Sequence, residues 1–306
     1  MGKQGTWKKL IQQRYLIFMC LPFVVWVLIF SYTPLAGWLM AFKNYKPAIG
    51  ILDSEWMGLA YFKEFLSEGR FYEILRNTFV MGSLNVFFGT ACSIVLALML
   101  NEVKNKFFKR SIQTVSYLPH FISWVIVANI FYTVLSTDGG IVNNLLLAIG
   151  IIDEPVNWMA KGKLFWIIAT IAQVWKEVGW NAIIYLAAIT SIDRTLYEAG
   201  EVDGLGRLGK IRYVTLPGIV PTIVILMVLN IGNLFNATGF DQSYLLGNNM
   251  TLTYSDNMAV YTYRYGLEMS RFSMSAALGI FNSMVCLILL FTANRLSGKF
   301  VEGKVI

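Results

Sequence analysis

The chain has 306 residues, of which 56% are hydrophobic, 15% aromatic and only 14% charged, and its mean hydropathy is +0.57. Soluble domains carry about a quarter charged residues, so the composition excludes an ordinary soluble enzyme and indicates a membrane-embedded chain. The formal net charge of +7 comes without a basic stripe interleaved with aromatics, which argues against a nucleic-acid partner. Cys20, Cys92 and Cys286 lie far apart, each inside an apolar run, with neither metal-site spacing nor the polar flank that activates a thiolate.

Six runs, at about 15–32, 78–100, 114–135, 164–190, 214–235 and 274–294, are long and apolar enough to cross roughly 30 Å of hydrocarbon as helices. The first exceeds the apolar core of a signal peptide and lacks a small-x-small cleavage site, so it reads as a retained helix. With a cytoplasmic N-terminus, the short inner segments hold fifteen lysines and arginines and the longer outer loops nine. That asymmetry puts both termini in the cytoplasm. The expected fold is all-α, a polytopic membrane protein with six transmembrane helices in one membrane domain, 1–306.

Between the first two spans, Tyr61, Phe62, Phe65, Leu66, Phe71, Tyr72, Ile74 and Leu75 alternate with charges, as in short amphipathic helices on the outer membrane surface or a connector packed on the bundle. The outer loop 236–272 is rich in polar residues, glycine and tyrosine. It either presents a docking surface or folds partly into the bundle. Asn249-Met250-Thr251 fits a glycosylation sequon, but so short a motif occurs commonly by chance. Trp7, Trp38, Trp56 and Trp158 lie near span ends, as in an aromatic belt.

The loop between the fourth and fifth spans contains two nucleotide-motif look-alikes. Gly204, Gly206 and Gly209 satisfy G-x-G-x-x-G, yet a dinucleotide site needs a βαβ unit and here a membrane helix lies on either side. Gly204, Gly209 and Lys210 satisfy most of a P-loop, but Ile211 stands where a Mg²⁺-binding hydroxyl is required. Asp193 is placed to cap a short helix with Leu196, Ala199, Gly200 and Val202 on a small-residue face, ended by Gly204 and Gly206. Such a helix, displaying Glu198, Glu201 and Asp203, suits either a solvated connector or a dock for a cytoplasmic partner.

In the fourth span, Gln173, Lys176, Glu177 and Trp180 fall at i, i+3, i+4 and i+7, one helical face inside an apolar run. Ionisable residues at membrane depth cost several kcal/mol, roughly 2.5–3.5 on the insertion scale, and mark functional sites or structural ion pairs. Asn230, Asn233 and Asn236 recur every third residue in the fifth span, as a polar ladder or as interhelical hydrogen-bonding groups. His120, the single histidine, has no carboxylate at helical spacing on its own segment and reads as a structural interface residue.

Glu198-Ala199-Gly200, then Gly204, then Val214-Thr215-Leu216-Pro217 resemble the EAA loop of binding-protein-dependent ABC importer permeases, E-A-A-x3-G-x9-I-x-L-P. Gly200 and Val214 depart mildly from the usual alanine and isoleucine. The run GLAYFKEFLSEGRFYEILRNTF, Leu118-Pro119, and Gly140 with Asn143 are similar to sugar-type permeases, so the resemblance covers nearly the whole chain. It implies a type I importer permease in the bacterial plasma membrane, paired with a second permease. Its other implied partners are two cytoplasmic ATPases gripping Glu198, Ala199, Gly200, Asp203 and Gly204 of the coupling loop, about 191–213, and an extracellular solute-binding protein. ATP and Mg would be held by the ATPases, with no cofactor and no ATPase site in this chain.

The resemblance also supports Gln173, Lys176, Glu177, Trp180, Asn233 and Asn236, with Asn230, as lining an oligosaccharide site. Amides with one acid, one cation and an aromatic face suit carbohydrate recognition. Neutral sugars do not require Lys176, whereas a uronate-containing oligosaccharide would place a carboxylate near it. The alternative reading is an ion-coupled carrier using Lys176 and Glu177, against which stand the loop spacing and the lack of an evident internal repeat. A membrane enzyme lacks a nucleophile motif or metal cluster in the sequence.

Overall fold

The computed structural model describes residues 13–235 and 239–298, and in these the protein is almost entirely helical. The chain divides into two compact units, one running up to Leu66 together with Tyr265–Ile280, the other Ser67–Arg264 with the segment from Phe281 onward.

In the first unit, α1 (Arg14–Val27) continues through one π turn (Leu28–Tyr32) and a 3-10 stretch (Thr33–Phe42). The whole runs well past the expected end at 32. None of the residues of α1 is buried, as befits a lipid-facing helix. Two-residue strands β1 (Lys43–Asn44) and β2 (Glu55–Trp56) pair antiparallel, and α2 (Ala60–Ser67) buries Phe65. The Arg271 guanidinium donates to Glu64 at 2.5 Å, and that bond raises its pKa above the ordinary arginine value.

The second unit is organised around α3 (Phe71–Glu102) and α7 (Phe165–Thr190). Between them come α4 (Lys106–Tyr117), α5 (Trp124–Val134) and α6 (Ile141–Ala148). After α7 come α8 (Arg194–Val202), α9 (Leu216–Gly232), α10 (Phe240–Leu246) and α11 (Met258–Tyr263), and α12 (Phe272–Ser297) ends the described chain. Along α7 the buried positions include Phe165, Ala169, Ala172, Lys176, Gly179 and Ala182. These spacings of three and four make one seam of mostly small side chains, which lets backbones approach closely where no hydrophobic effect drives helices together. Two apolar clusters flank it, one around Met81, Val127 and Leu246, the other around Leu100, Tyr185 and Ile219.

Arg14–Phe42, Phe71–Glu102, Arg207–Gly232 and Phe272–Ser297 are long and apolar enough to cross a membrane, and Lys106–Phe121 with Trp124–Val134 is so only as a bent pair, the pattern of a broken span or a re-entrant loop. At 26 residues, α7 reaches about 39 Å, and it is not among these apolar helices. The expected continuous helix over 114–135 is corrected: its two halves meet at 102°. Leu118–Phe121 tightens into a 3-10 turn holding Pro119, Ile122 is extended, and the Ser123 hydroxyl caps the new helix by accepting from Ile126 N–H. Proline lacks a donor and restricts the residue before it. Hydropathy registers the apolar residues on both sides of such a break and not the break.

Other boundaries shift as well. The second span starts at Phe71, so the amphipathic stretch 61–75 is split, and Phe71 and Ile74 are core residues of α3. The fifth span starts at Arg207, because the basic stretch continues through a π turn (Ile211–Thr215) into α9, and ends at Gly232. The described part of loop 236–272 folds in: Gln242, Ser243, Asp256, Asn257 and Met258 are at most 4% exposed. Asn77 Nδ2 donates to the carbonyls of Thr253 and Asp256 at 2.9 Å, and Met258 N–H donates to Thr78 Oγ1 at 2.8 Å. The Asp256 carboxylate, 1% exposed, is met by Arg70 at 2.9 Å and Arg264 at 2.7 Å, the pairing that a buried charge requires. Thr251 of the sequon is buried and its hydroxyl accepts from Asn248 N–H.

Candidate translocation site and coupling loop

The coupling segment folds as its residues dictate. Asp193 caps α8 by accepting from Thr195 N–H at 3.0 Å, and this bonding holds its carboxyl below the usual carboxylate range. Gly204, with φ +78°, supplies the left-handed residue past the helix end, and Leu205 N–H reaches back to the Gly200 carbonyl at 2.8 Å. Tyr197 Oη and Thr215 Oγ1 lie 3.0 Å apart, tying α8 to the π turn that begins the fifth span, and Glu201 pairs with Lys210.

Lys210 holds the Glu201 carboxyl below its ordinary pKa. The contribution of this pair is present at neutral pH and is lost as pH falls through the depressed value. Glu198, Ala199 and Asp203 are exposed, with Leu196, Val202 and Leu208 also outward. Gly200 faces inward instead, buried against Leu205 and Val214. A Cβ there would sit 3.2 Å from Leu205 Cδ1, a flexible neighbour. Gly200→Ala is therefore expected to retain uptake within about twofold and Gly200→Val to lose it, in a transport assay of the assembled complex.

A cavity of about 160 Å³ lies among α3, α7 and α9, lined by Asn85, Gln173, Asn181, Asn230 and Asn233, with Tyr185 and Leu226 as apolar wall. No hydrogen bond engages the side-chain amides of Gln173, Asn181 and Asn230 among the described residues, so their donors and acceptors are open to a ligand or water. Asn233 Nδ2 donates to the Leu229 carbonyl at 3.1 Å. Asn236 lies outside the described residues. Asn85 and Asn181 were missed by sequence reasoning. Asn181 continues the Gln173 face two turns on, while Asn85 sits in an apolar run with no periodic partner.

The rest of the α7 stripe turns elsewhere. Lys176, 6% exposed, donates to the His120 carbonyl at 2.5 Å and the Pro119 carbonyl at 3.5 Å. Both carbonyls belong to the break between α4 and α5, where the Pro119 carbonyl also accepts from Ile122 N–H at 3.2 Å. Glu177 Oε2 lies 2.7 Å from His120 Nδ1 and its Oε1 lies 3.5 Å from Lys176 Nζ. The Trp180 ring stacks on His120 at 4.5 Å with planes 3° apart. Gly179 touches the Ser116 carbonyl so closely that a Cβ would fall 1.9 Å from its oxygen. Lys176, Glu177, Gly179 and Trp180 thus grip one joint, and Gln173 alone of the predicted stripe lines the cavity. His120 is a structural interface residue as expected, but its carboxylate partner comes from another helix, 57 residues away.

The profile of the "Binding-protein-dependent transport system inner membrane component" family matches residues 89–302. The "Polygalacturonan/rhamnogalacturonan transport system permease protein YteP" of Bacillus subtilis (strain 168) is 43% identical over 294 residues, covering 96% of this chain and 91% of that one. Two solved structures are similar over nearly full length. One, a bacterial ABC transporter involved in the import of the acidic polysaccharide alginate, has TM-score 0.87 and 39% identity, covering 96% of this chain and 98% of that chain. The other, a bacterial alginate ABC transporter in complex with an alginate pentasaccharide-bound periplasmic protein, has TM-score 0.88 and 38% identity, covering 97% and 99%. An all-helical membrane chain with this loop, this cavity and these relatives belongs to the binding-protein-dependent transport system inner membrane component family, the permease subunits of ABC importers.

Proposed function

We propose that the chain forms half of the path of an ATP-driven oligosaccharide importer in a bacterial cytoplasmic membrane, with both termini inside. The observation carrying this reading is the carboxamide-lined cavity set between α7 and α9, the two helices that the coupling loop joins. Carboxamides offer donors and acceptors together, which suits sugar hydroxyls. At about 160 Å³ the cavity is smaller than the roughly 300–1,000 Å³ of complete small-molecule sites, which supports a second permease completing it. Two ATPases docked on Glu198, Ala199 and Asp203 would move α8 and with it α7 and α9, and an external binding protein would deliver the substrate. ATP and Mg belong to those ATPases in this reading.

Uronate-containing oligosaccharides are the proposed substrate class, supported by relatives named for polygalacturonan and for the acidic polysaccharide alginate. For Lys176 to read a uronate, its ammonium must first leave the Pro119 and His120 carbonyls. The ion-coupled alternative relied on Lys176 and Glu177, which lie 3.5 Å apart and are further held by those carbonyls and by His120.

Purification of the tagged chain in mild detergent is expected to recover a second permease and an ATPase, and Glu198→Ala to lose the ATPase. Recovery of the chain alone, transporting without ATP after reconstitution, would overturn the proposal. In the assembled complex, Asn181→Ala with Asn230→Ala is expected to raise KM about tenfold or more, since each hydrogen bond contributes roughly 0.5–1.5 kcal/mol.

A further inference from the structure

A second, larger cavity of about 450 Å³ lies away from the first, formed by the end of α5, the segment before α7 and the segment after α10. It sits at the Phe165 end of α7, whereas α8 follows the Thr190 end. About 39 Å of helix separates the two ends. In the proposed orientation, on which this inference rests, the crevice therefore opens on the outer side.

Its walls are pinned by side-chain hydrogen bonds. Asn143, 1% exposed, donates to the Ser136 carbonyl at 2.7 Å and the Val156 carbonyl at 3.0 Å. Its Oδ1 accepts from Val156 N–H and Trp158 Nε1 at 3.0 Å. Asn248 Nδ2 donates to the Met159 carbonyl at 2.7 Å, and Tyr132 Oη donates to the Leu246 carbonyl at 3.0 Å. Three separate stretches of chain are thus tied into one preformed crevice, which spares a ligand the cost of ordering it.

What lines the crevice differs from what pins it. The Asn157 Nδ2 donor, the Thr137 hydroxyl and the Asn249 amide take no part in any hydrogen bond among the described residues. Leu135, Met159 and the Tyr132 ring supply an apolar floor. Neutral donors and acceptors over an apolar floor, in a volume within the range of small-molecule sites, fit the hydroxyl edge and apolar face of a sugar unit.

We propose that this crevice is a second carbohydrate subsite, which holds the trailing end of a long oligosaccharide while its leading unit occupies the inner cavity. On α7 the first residue lining the inner cavity, Gln173, lies eight residues beyond Phe165, about 12 Å of helix, so a disaccharide is not expected to occupy both. The test is uptake by the complete importer of a disaccharide and a hexasaccharide of galacturonate, with Thr137→Val and Asn249→Leu combined, and separately with Asn157→Asp. Asn157→Asp keeps the oxygen that caps Ala160 N–H and removes the free donor. The expected result is a KM for the hexasaccharide raised about tenfold by the double variant, with the disaccharide KM unchanged.

Equal loss for both lengths, with weaker stimulation of ATP hydrolysis by the binding protein, would show a protein dock instead and overturn the subsite. Unchanged KM for both would also overturn it. A wild-type complex that takes up neither galacturonate oligomer would refute the proposed uronate substrate class and the subsite with it.

Discussion

Gly179→Ala is expected to abolish uptake and to lower the amount of folded chain recovered from the membrane. A Cβ at 179 would lie 1.9 Å from the Ser116 carbonyl oxygen and 2.3 Å from its carbon, and the obstacle is backbone, which cannot rotate away. Overpacking ordinarily costs about 1–3 kcal/mol when side chains can adjust, and here α4 as a whole must withdraw from α7. Withdrawal would also carry His120 off Glu177 and Trp180, and the Pro119 and His120 carbonyls off Lys176. Gly279→Ala is the matched control: a Cβ there meets nothing within 4 Å, and alanine in a helix interior is favoured over glycine by about 1 kcal/mol. Size-exclusion recovery and uptake by the two variants check the prediction, and a Gly179→Ala complex with wild-type uptake would refute it.

The joint that Gly179 belongs to shows where sequence reasoning ends. The coupling helix was legible because its determinants are local: the Asp193 cap and the Gly204 turn lie eleven residues apart on one short segment, whereas the Glu201–Lys210 pair across the turn was not read. The cavity was legible in part, since Gln173, Asn230 and Asn233 announce themselves as amides in apolar helices. Lys176 was visible as an anomaly, but its surroundings were not, because its partners come from a turn 56 and 57 residues earlier. A signal was present all the same. Lys176 falls in register with Ala169, Ala172, Gly179 and Ala182, the small-residue seam, rather than with Gln173. The burial of loop 239–272 was hidden for a different reason: Gln242, Ser243, Ser255, Asp256 and Asn257 are buried beside Leu246, Met258 and Val260, and hydropathy assigns such polar residues to solvent although hydrogen bonds to α3 and within the loop make their burial tolerable.

That register yields the prediction with the clearest mechanistic reading. Lys176→Met is expected to depress uptake of neutral and uronate oligosaccharides alike, by about tenfold to a hundredfold. Methionine fills the seam without supplying a donor, leaving the carbonyls of Pro119 and His120 and the Glu177 carboxylate without their cation. The Pro119 carbonyl keeps Ile122 N–H and Glu177 keeps His120, so the loss falls mainly on the part-buried His120 carbonyl, roughly 1–3 kcal/mol, and about 1.4 kcal/mol is a factor of ten. Glu177→Gln should be milder, because Lys176 keeps both carbonyls and the amide oxygen can still meet an imidazole N–H. A loss confined to uronate substrates in Lys176→Met would overturn this reading and make the ammonium the reader of a substrate carboxylate. The same pair of substrates separates the alternatives in Lys176→Arg. A carboxylate reader would accept a guanidinium, whose charge is preserved and whose fork suits carboxylates. A clamp in a seam of alanine and glycine has no volume for it, so uptake of both substrates should stay low.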